Sequence, residues 1–166
     1  MKPTFKVLVS DPLGNGGLEV FKKEPQIEVD VRPGLGAGEL KKIAGQYDAI
    51  VVRSATHLTK DIIQEATRLK VIGRAGVGVD NVDLDAATKH GIIVMNTPEG
   101  NTISTSEHTM SLLLALARNI PQAYSSIREG EWKRSRFVGT ELNGKVLGII
   151  GFGRIGREVA VRANAF

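Results

Sequence analysis

The stretch that most constrains this chain runs from Lys145 to Arg157, where the apolar segment Val146-Leu-Gly-Ile-Ile150 meets Gly151-Phe-Gly153-Arg-Ile-Gly156, three glycines spaced as G-x-G-x-x-G. The pattern predicts a strand over Val146 to Ile150, a tight turn and a helix beginning just after it, which is a dinucleotide-binding fingerprint. Each glycine has its own task. Gly151 permits the turn, Gly153 lets backbone approach a pyrophosphate, and Gly156 lets the helix lie close on its strand, while the helix's first amides face the phosphates. Downstream, Val159, Ala160 and Ala163 fall on one face of an amphipathic helix. The acid that the fingerprint expects about 20 residues further on, to hold the adenosine ribose, falls beyond Phe166.

Upstream, short β-branched runs alternate with short helical patches. Strands are expected at Phe5 to Ser10, Ile27 to Val31, Ala49 to Val52, Val71 to Gly73 and Ile92 to Asn96. Helical patches lie between them at Leu18, Val20 and Phe21; at Leu40, Ile43 and Ala44; at Ile62, Ile63 and Ala66; and at Leu84, Ala86 and Ala87. Thr59 and Asp83 occupy N-cap positions, and His90-Gly91 reads as a helix stop. Five strands alternating with four helices imply an α/β fold: a flavodoxin-like, doubly wound parallel sheet over 1–97, followed over 98–166 by the start of a Rossmann dinucleotide-binding domain.

Ligands of open parallel sheets bind outside the carboxyl ends of the strands. The residues there are Asp11, Arg53 and Ser54, Arg74 through Val77, and Asn96 with Thr97. Two arginines on one edge suit an anionic ligand, because a guanidinium fork matches carboxylate and phosphate oxygens and Gly76 and Gly78 let amides approach the same anion. The competing account is that Arg53 and Arg74 merely pair with Asp11 or Asp80.

After Thr97-Pro98 an extended crossover is expected, since proline disfavours helix at the residue before it. Ser104-Thr-Ser-Glu107 has capping-box spacing and opens a helix, running to Arg118, that is apolar nearly all round and therefore expected to be buried, between domains or against a second copy. Pro121 sits in the first turn of a further helix toward Arg128, and a loop over 130–140 carries Trp132 and the basic cluster Lys133, Arg134 and Arg136.

Composition excludes more than it assigns. A net charge of +4 accommodates acidic small molecules, but the sequence has neither a basic recognition helix nor aromatics interleaved with cations, so nucleic acid is not an expected partner. No apolar run reaches membrane-spanning length and no secretory signal is visible at the start. The absence of cysteine fits a reducing cytoplasm and removes thiolate chemistry. His57, in a polar loop, His90, at a helix end, and His108, on the apolar helix, lack catalytic company. Asp80, Asp83 and Asp85 read as a helix cap rather than a metal site, and no serine has a nucleophile-elbow context, so no catalytic residue and no metal ligand is assigned.

Taken together, Val52-Arg-Ser-Ala-Thr56, Gly73-Arg-Ala-Gly-Val-Gly-Val-Asp-Asn-Val-Asp83, Val94-Met-Asn-Thr-Pro98, Leu116-Ala-Arg-Asn-Ile-Pro121 and Gly139-Thr-Glu-Leu-Asn-Gly-Lys145 resemble the D-isomer-specific 2-hydroxyacid dehydrogenases, over residues 5 to 166. The resemblance implies a substrate domain and a nucleotide domain flanking a cleft, with NAD passing a hydride to or from C2 of a hydroxy acid. It implies that Arg53, Ser54, Arg74 and Gly76 meet the substrate's anionic groups and that Asn96 is a further contact at the hinge. Val77 would lie beside the nicotinamide, and Arg154 and Ile155 would follow the pyrophosphate. Arg134 matches a position that in similar enzymes reaches a neighbouring subunit's site. Members are commonly dimers built on the nucleotide domain. The family's catalytic Arg, Glu and His, like its ribose-binding acid, would come after residue 166, so this polypeptide alone is expected to be inactive and to bind NAD poorly. Relatives acting on hydroxypyruvate, D-lactate or formate, a non-catalytic NAD-sensing corepressor, and a module serving only for dimerisation are the alternatives.

Overall fold

The structure, a computed structural model, describes residues 4–166. They fall into two compact units, residues up to Gly100 and Asn101–Phe166.

The first unit is a five-stranded parallel sheet of β1 (Phe5–Val9), β2 (Ile27–Val31), β3 (Ala49–Val52), β4 (Val71–Arg74) and β5 (Ile93–Asn96), in the order β2-β1-β3-β4-β5. Each of the five strands expected over 1–97 is present to within one residue at either end. The order reverses at β1, which pairs with both β2 and β3, and this is the flavodoxin-like switch point. Four helices connect the strands: α1 (Asn15–Lys22), α2 (Ala37–Ile43), α3 (Lys60–Glu65) and α4 (Leu84–Lys89).

Alternation along the strands sends Leu8, Ile50, Val52 and Ile72 to one face, where they meet Leu40 of α2, Ile62 and Ile63 of α3, and Ala86 and Ala87 of α4. Leu8, Ile50, Val52 and Ile72 are wholly excluded from solvent, and burial on that scale contributes about 1.5–3 kcal/mol for each large aliphatic side chain. The opposite face is more open. Phe5, Phe21, Val51, Val71 and Met95 line an apolar trough of ≈ 650 Å³ there.

Local signals set the helix ends. Asp83 caps α4 by accepting from the Ala86 amide at 2.9 Å, and Gly91 stops it at φ 68°. Thr59 is the N-cap of α3 by its extended backbone, without a side-chain bond.

The second unit contains α5 (Thr102–Ala117), α6 (Ile120–Arg128), a 3-10 turn (Arg134–Phe137) and α7 (Arg154–Ala163). Helix α6 begins where Pro121 indicated. Helix α5 begins earlier than its capping-box spacing implied: Asn101 is the N-cap, and the Ser104 hydroxyl donates back to the Asn101 carbonyl at 3.2 Å. An S-x-x-E spacing fits inside a helix as readily as at its start, because positions three apart share a face.

Within one chain, α5 is covered on one side only. It packs on α7 through a narrow stripe, Ser106 and Met110 one turn apart, with Val159 the buried residue of α7. Glu107 and Arg162 pair across the two helices at 3.7 Å. Leu112 and Leu116 stay 58% and 75% exposed, and His108 is exposed as well, because one partner helix covers only one stripe of a helix that is apolar all round.

Candidate functional site

In register, Val51 and Val52 of β3 lie beside Gly73 and Arg74 of β4, and Arg74 lies beside Asn96 of β5. Arg53, Arg74 and Asn96 therefore share the carboxyl edge of the sheet, as expected.

The loop after β3 is held from two sides. The buried Asp11, at the end of β1, accepts from the Arg53 amide (2.6 Å) and the Thr56 amide (3.1 Å) on Oδ2, and from the Thr56 hydroxyl (2.7 Å) on Oδ1. Asn81 donates through Nδ2 to the Arg53 carbonyl (2.8 Å) and the Thr56 carbonyl (2.5 Å). The backbone joins in: the Leu58 amide donates to the Asn81 carbonyl and the Asp83 amide to the Leu58 carbonyl. Burial alone would raise the pKa of Asp11, but the Thr56 hydroxyl and the amides of Arg53, Thr56 and Ala55 outweigh it and hold the carboxyl below its ordinary value. Between the gripped residues, Ser54 and Ala55 form an exposed apex.

The loop after β4 is set differently. The Ala75 amide donates to the Val52 carbonyl, the Thr97 amide to the Gly76 carbonyl, and Asn96 Nδ2 to the Val77 carbonyl at 2.7 Å. Asn96 thus supports the Val77 backbone, and its Oδ1 is the atom left for a ligand. The Arg74 guanidinium lies over Gly76 so closely that a Cβ there would collide with it. Arg74 Nε is buried without a partner among the described residues.

The competing account of the arginines fails. Asp11 takes backbone amides, Asp80 folds against Gly78, and neither Arg53 nor Arg74 has a carboxylate partner among the described residues.

In the second unit the fingerprint forms its elbow and helix but not its strand. Gly151 adopts φ 90°, Gly153 is the extended N-cap of α7, and a Cβ on Gly156 would strike the Gly151 carbonyl oxygen. No heavy atom beyond its own chain neighbours lies within 4 Å of where a Cβ on Gly153 would stand, so backbone is open to a ligand there. Arg154, Ile155 and Gly156 form the first turn of α7, the end at which a helix's amides point away from its body. Residues 146–150, expected as a strand, are unpaired, with Val146 98% and Ile150 105% exposed. A strand exists only as a member of a ladder, and no described strand lies beside this one.

Arg134, also in the second unit, is exposed, its guanidinium 6.0 Å from the centroid of the Trp132 ring.

Reasoning from residues overlooked Thr56 and Asn81. Both lie inside the quoted motifs, but their meeting with Asp11 and Arg53 spans 25 to 45 positions, and no local pattern reports it.

A model of the D-isomer specific 2-hydroxyacid dehydrogenase catalytic domain matches residues 7–161. A D-3-phosphoglycerate dehydrogenase of Archaeoglobus fulgidus is 52% identical over 161 residues, 97% of this chain and 30% of the relative. Among solved structures, a Thermus thermophilus protein superposes with a TM-score of 0.86 at 36% identity, covering 96% of this chain and 53% of that one. An NAD-dependent formate dehydrogenase of Staphylococcus aureus in complex with NAD reaches 0.80 at 34%, covering 95% and 52%. The chain thus spans less than a third of the length of the curated relative and about half of these solved chains. On its sequence, its sheet order and its glycine elbow alike, the chain belongs to the D-isomer-specific 2-hydroxyacid dehydrogenase family.

Proposed function

We propose that this chain is the substrate-binding unit, and the opening of the NAD-binding unit, of a D-3-phosphoglycerate dehydrogenase, which moves a hydride between NAD and C2 of 3-phosphoglycerate, giving 3-phosphohydroxypyruvate at the entry to serine biosynthesis. The observation that carries the reading is the pair of arginines, Arg53 and Arg74, on one sheet edge without carboxylate partners among the described residues. A substrate with a carboxylate and a phosphate offers a fork for each. Ser54 and the Gly76 amide join that contact, and Asn96 adds its Oδ1. The identity to the Archaeoglobus enzyme supports the same substrate.

For the dinucleotide, the elbow fits: Gly153 leaves the room a pyrophosphate needs, Gly151 and Gly156 shape the turn, and the first-turn amides of Arg154 and Ile155 face it. Val77 is assigned to the nicotinamide end. The cofactor supplies the hydride, and these residues bind and orient it.

The working form is a homodimer or a larger homo-oligomer. The exposed apolar residues Leu112 and Leu116 of α5 and Ile120, Tyr124 and Ile127 of α6 supply the contact, and Arg134 reaches the neighbouring subunit's site. Among the described residues no helix is long and apolar enough to cross a membrane, and the cysteine-free sequence fits the cytoplasm.

Joined to the remainder of the Archaeoglobus relative, the chain should reduce NAD with 3-phosphoglycerate and prefer it to glycerate by about a hundredfold or more in kcat/KM, the effect of leaving charged groups unmatched. Arg53→Ala and Arg74→Ala should erase most of that preference. Equal use of glycerate would point to a relative acting on an unphosphorylated hydroxy acid. The 166-residue chain alone should show no turnover.

A further inference from the structure

Asp11 and Asn81 make complementary use of the same two peptide groups. Asp11, an acceptor, holds the amides of Arg53 and Thr56, and Asn81, a donor, holds the carbonyls of the same two residues. The two carbonyls also settle the orientation of the Asn81 amide, since the opposite one would set oxygen against oxygen. Both side chains are nearly solvent-free, 2% and 4% exposed, and come from different strand ends, one after β1 and the other after β4. The loop 53–56 is therefore pinned at its first and last residue, while the exposed Ser54-Ala55 apex and the Arg53 side chain stay outside the grip.

We propose that Asp11 and Asn81 are the positioning residues of the anion-binding loop: by clamping the peptide groups of Arg53 and Thr56 they hold the Arg53 guanidinium and the 54–55 apex in a ligand-ready geometry before any ligand arrives. The proposal rests on the reading of Arg53 as an anion contact. A loop that had to order itself on binding would lose affinity to the lost freedom, and the clamp removes that loss in advance. Asp11 itself carries a negative charge near an anion site, which is an unfavourable choice unless its task is geometric. Its oxygens are taken up by the Thr56 hydroxyl and by the amides of the same loop, those of Arg53 and Thr56 foremost, so it acts through the loop rather than on the ligand.

The conservative variant separates geometry from charge. In Asp11→Asn the side-chain carbonyl accepts both amides, its NH2 donates to the Thr56 oxygen, and the Thr56 hydroxyl turns to the Ser10 carbonyl, 3.2 Å away. Asp11→Ala has no such solution.

The test measures two quantities on the 166-residue chain: affinity for 3-phosphoglycerate by calorimetry, and amide hydrogen exchange at 53–58 against the neighbouring helix α3. Asp11→Ala and Asn81→Ala should each weaken binding and speed exchange at 53–58 by about tenfold or more, the scale of two or three lost hydrogen bonds, with α3 unchanged. Asp11→Asn should stay within about threefold of the parent in both. Thr56→Val, which removes only the hydroxyl's bonds to Asp11 and Ser10 and keeps the side-chain shape, should lie between them and serves if the alanine variants do not fold. Parent-like affinity in a folded Asp11→Ala chain overturns the proposal, as does Asp11→Asn behaving like Asp11→Ala. Arg53→Ala separates the two ideas: it should lower affinity while leaving exchange at 53–58 at the parent rate. Full affinity in Arg53→Ala would overturn the anion contact and the positioning role with it, whatever the exchange data show of the clamp.

Discussion

The strand Ala49-Ile-Val-Val52 and the segment Val146-Leu-Gly-Ile-Ile150 use the same kind of residues, yet Ile50 and Val52 are wholly buried while Val146 and Ile150 are bare to solvent. Residues 49–52 sit between β1 and β4, bonded on both edges and covered by α2 to α4. Residues 146–150 have the elbow and α7 after them and, among the described residues, no strand paired with them. The difference teaches that a β-branched run specifies readiness to join a sheet, whereas a helix and a glycine turn, whose hydrogen bonds close within a few residues, form without waiting for one.

The sharpest way to test the contrast is to empty both sites. Ile50→Ala should destabilise the chain by about 2–5 kcal/mol in urea unfolding, and Ile150→Ala by no more than about 0.5 kcal/mol. Equal costs would mean that the second segment is buried after all.

The contrast should disappear when residues 146–150 are given strands to pair with. Continuing the chain after residue 166 with the sequence that follows the matched region in the Archaeoglobus relative should slow amide exchange at 147–150 by about a hundredfold. NAD binding should appear alongside, whereas the 166-residue chain should bind NAD only weakly, with a Kd above about 1 mM. Unchanged exchange in a chain that binds NAD would refute the ladder explanation.

Within the elbow itself, Gly156→Ala should loosen the turn by about 1–3 kcal/mol, because its methyl meets the Gly151 carbonyl; Gly153→Ala, with open space around it, should fall within about 0.5 kcal/mol while hindering NAD in the extended chain. Thermal melts of the two variants check the pair.

The smallest effect concerns acid. Asp11 has its carboxyl held low, so its contribution is present above the unfolded aspartate value of about 3.9 and is lost as pH falls through the lower folded value. Asp48 works in the same window, held low first by the Lys6 amide and, against some burial, by the Arg68 guanidinium. The sheet unit should therefore lose stability below pH 4, and Asp11→Asn should flatten part of that slope in melts between pH 5 and 2. An unaltered slope would show that Asp11 is not held low by its amides.

Much of the fold is legible in order along the chain. The five strands fall within a residue of their expected ends, Asp83 caps α4, Gly91 ends it, and Pro121 opens α6, since each of these signals acts over a few residues. Arg53 and Arg74 could be put on one rim because parallel topology sends every strand's carboxyl end the same way. What resisted reading was pairwise and distant. Asp11 could be noticed after β1, but its grip on Arg53 and Thr56 spans more than 40 positions, and the partners of Asn81 lie 25 and 28 positions away.

By itself, then, the sequence determined which segments are helix, turn and would-be strand, and which residues end up at the carboxyl edge of the sheet, because those are matters of periodicity, capping and glycine geometry acting locally. The tertiary structure alone decided whether 146–150 became a strand, how little of α5 was covered, and that Asp11 and Asn81 would close on one loop from opposite sides. Each of these depends on a partner brought from elsewhere in the chain, and hydrogen bonds and burial exist only once that partner has arrived.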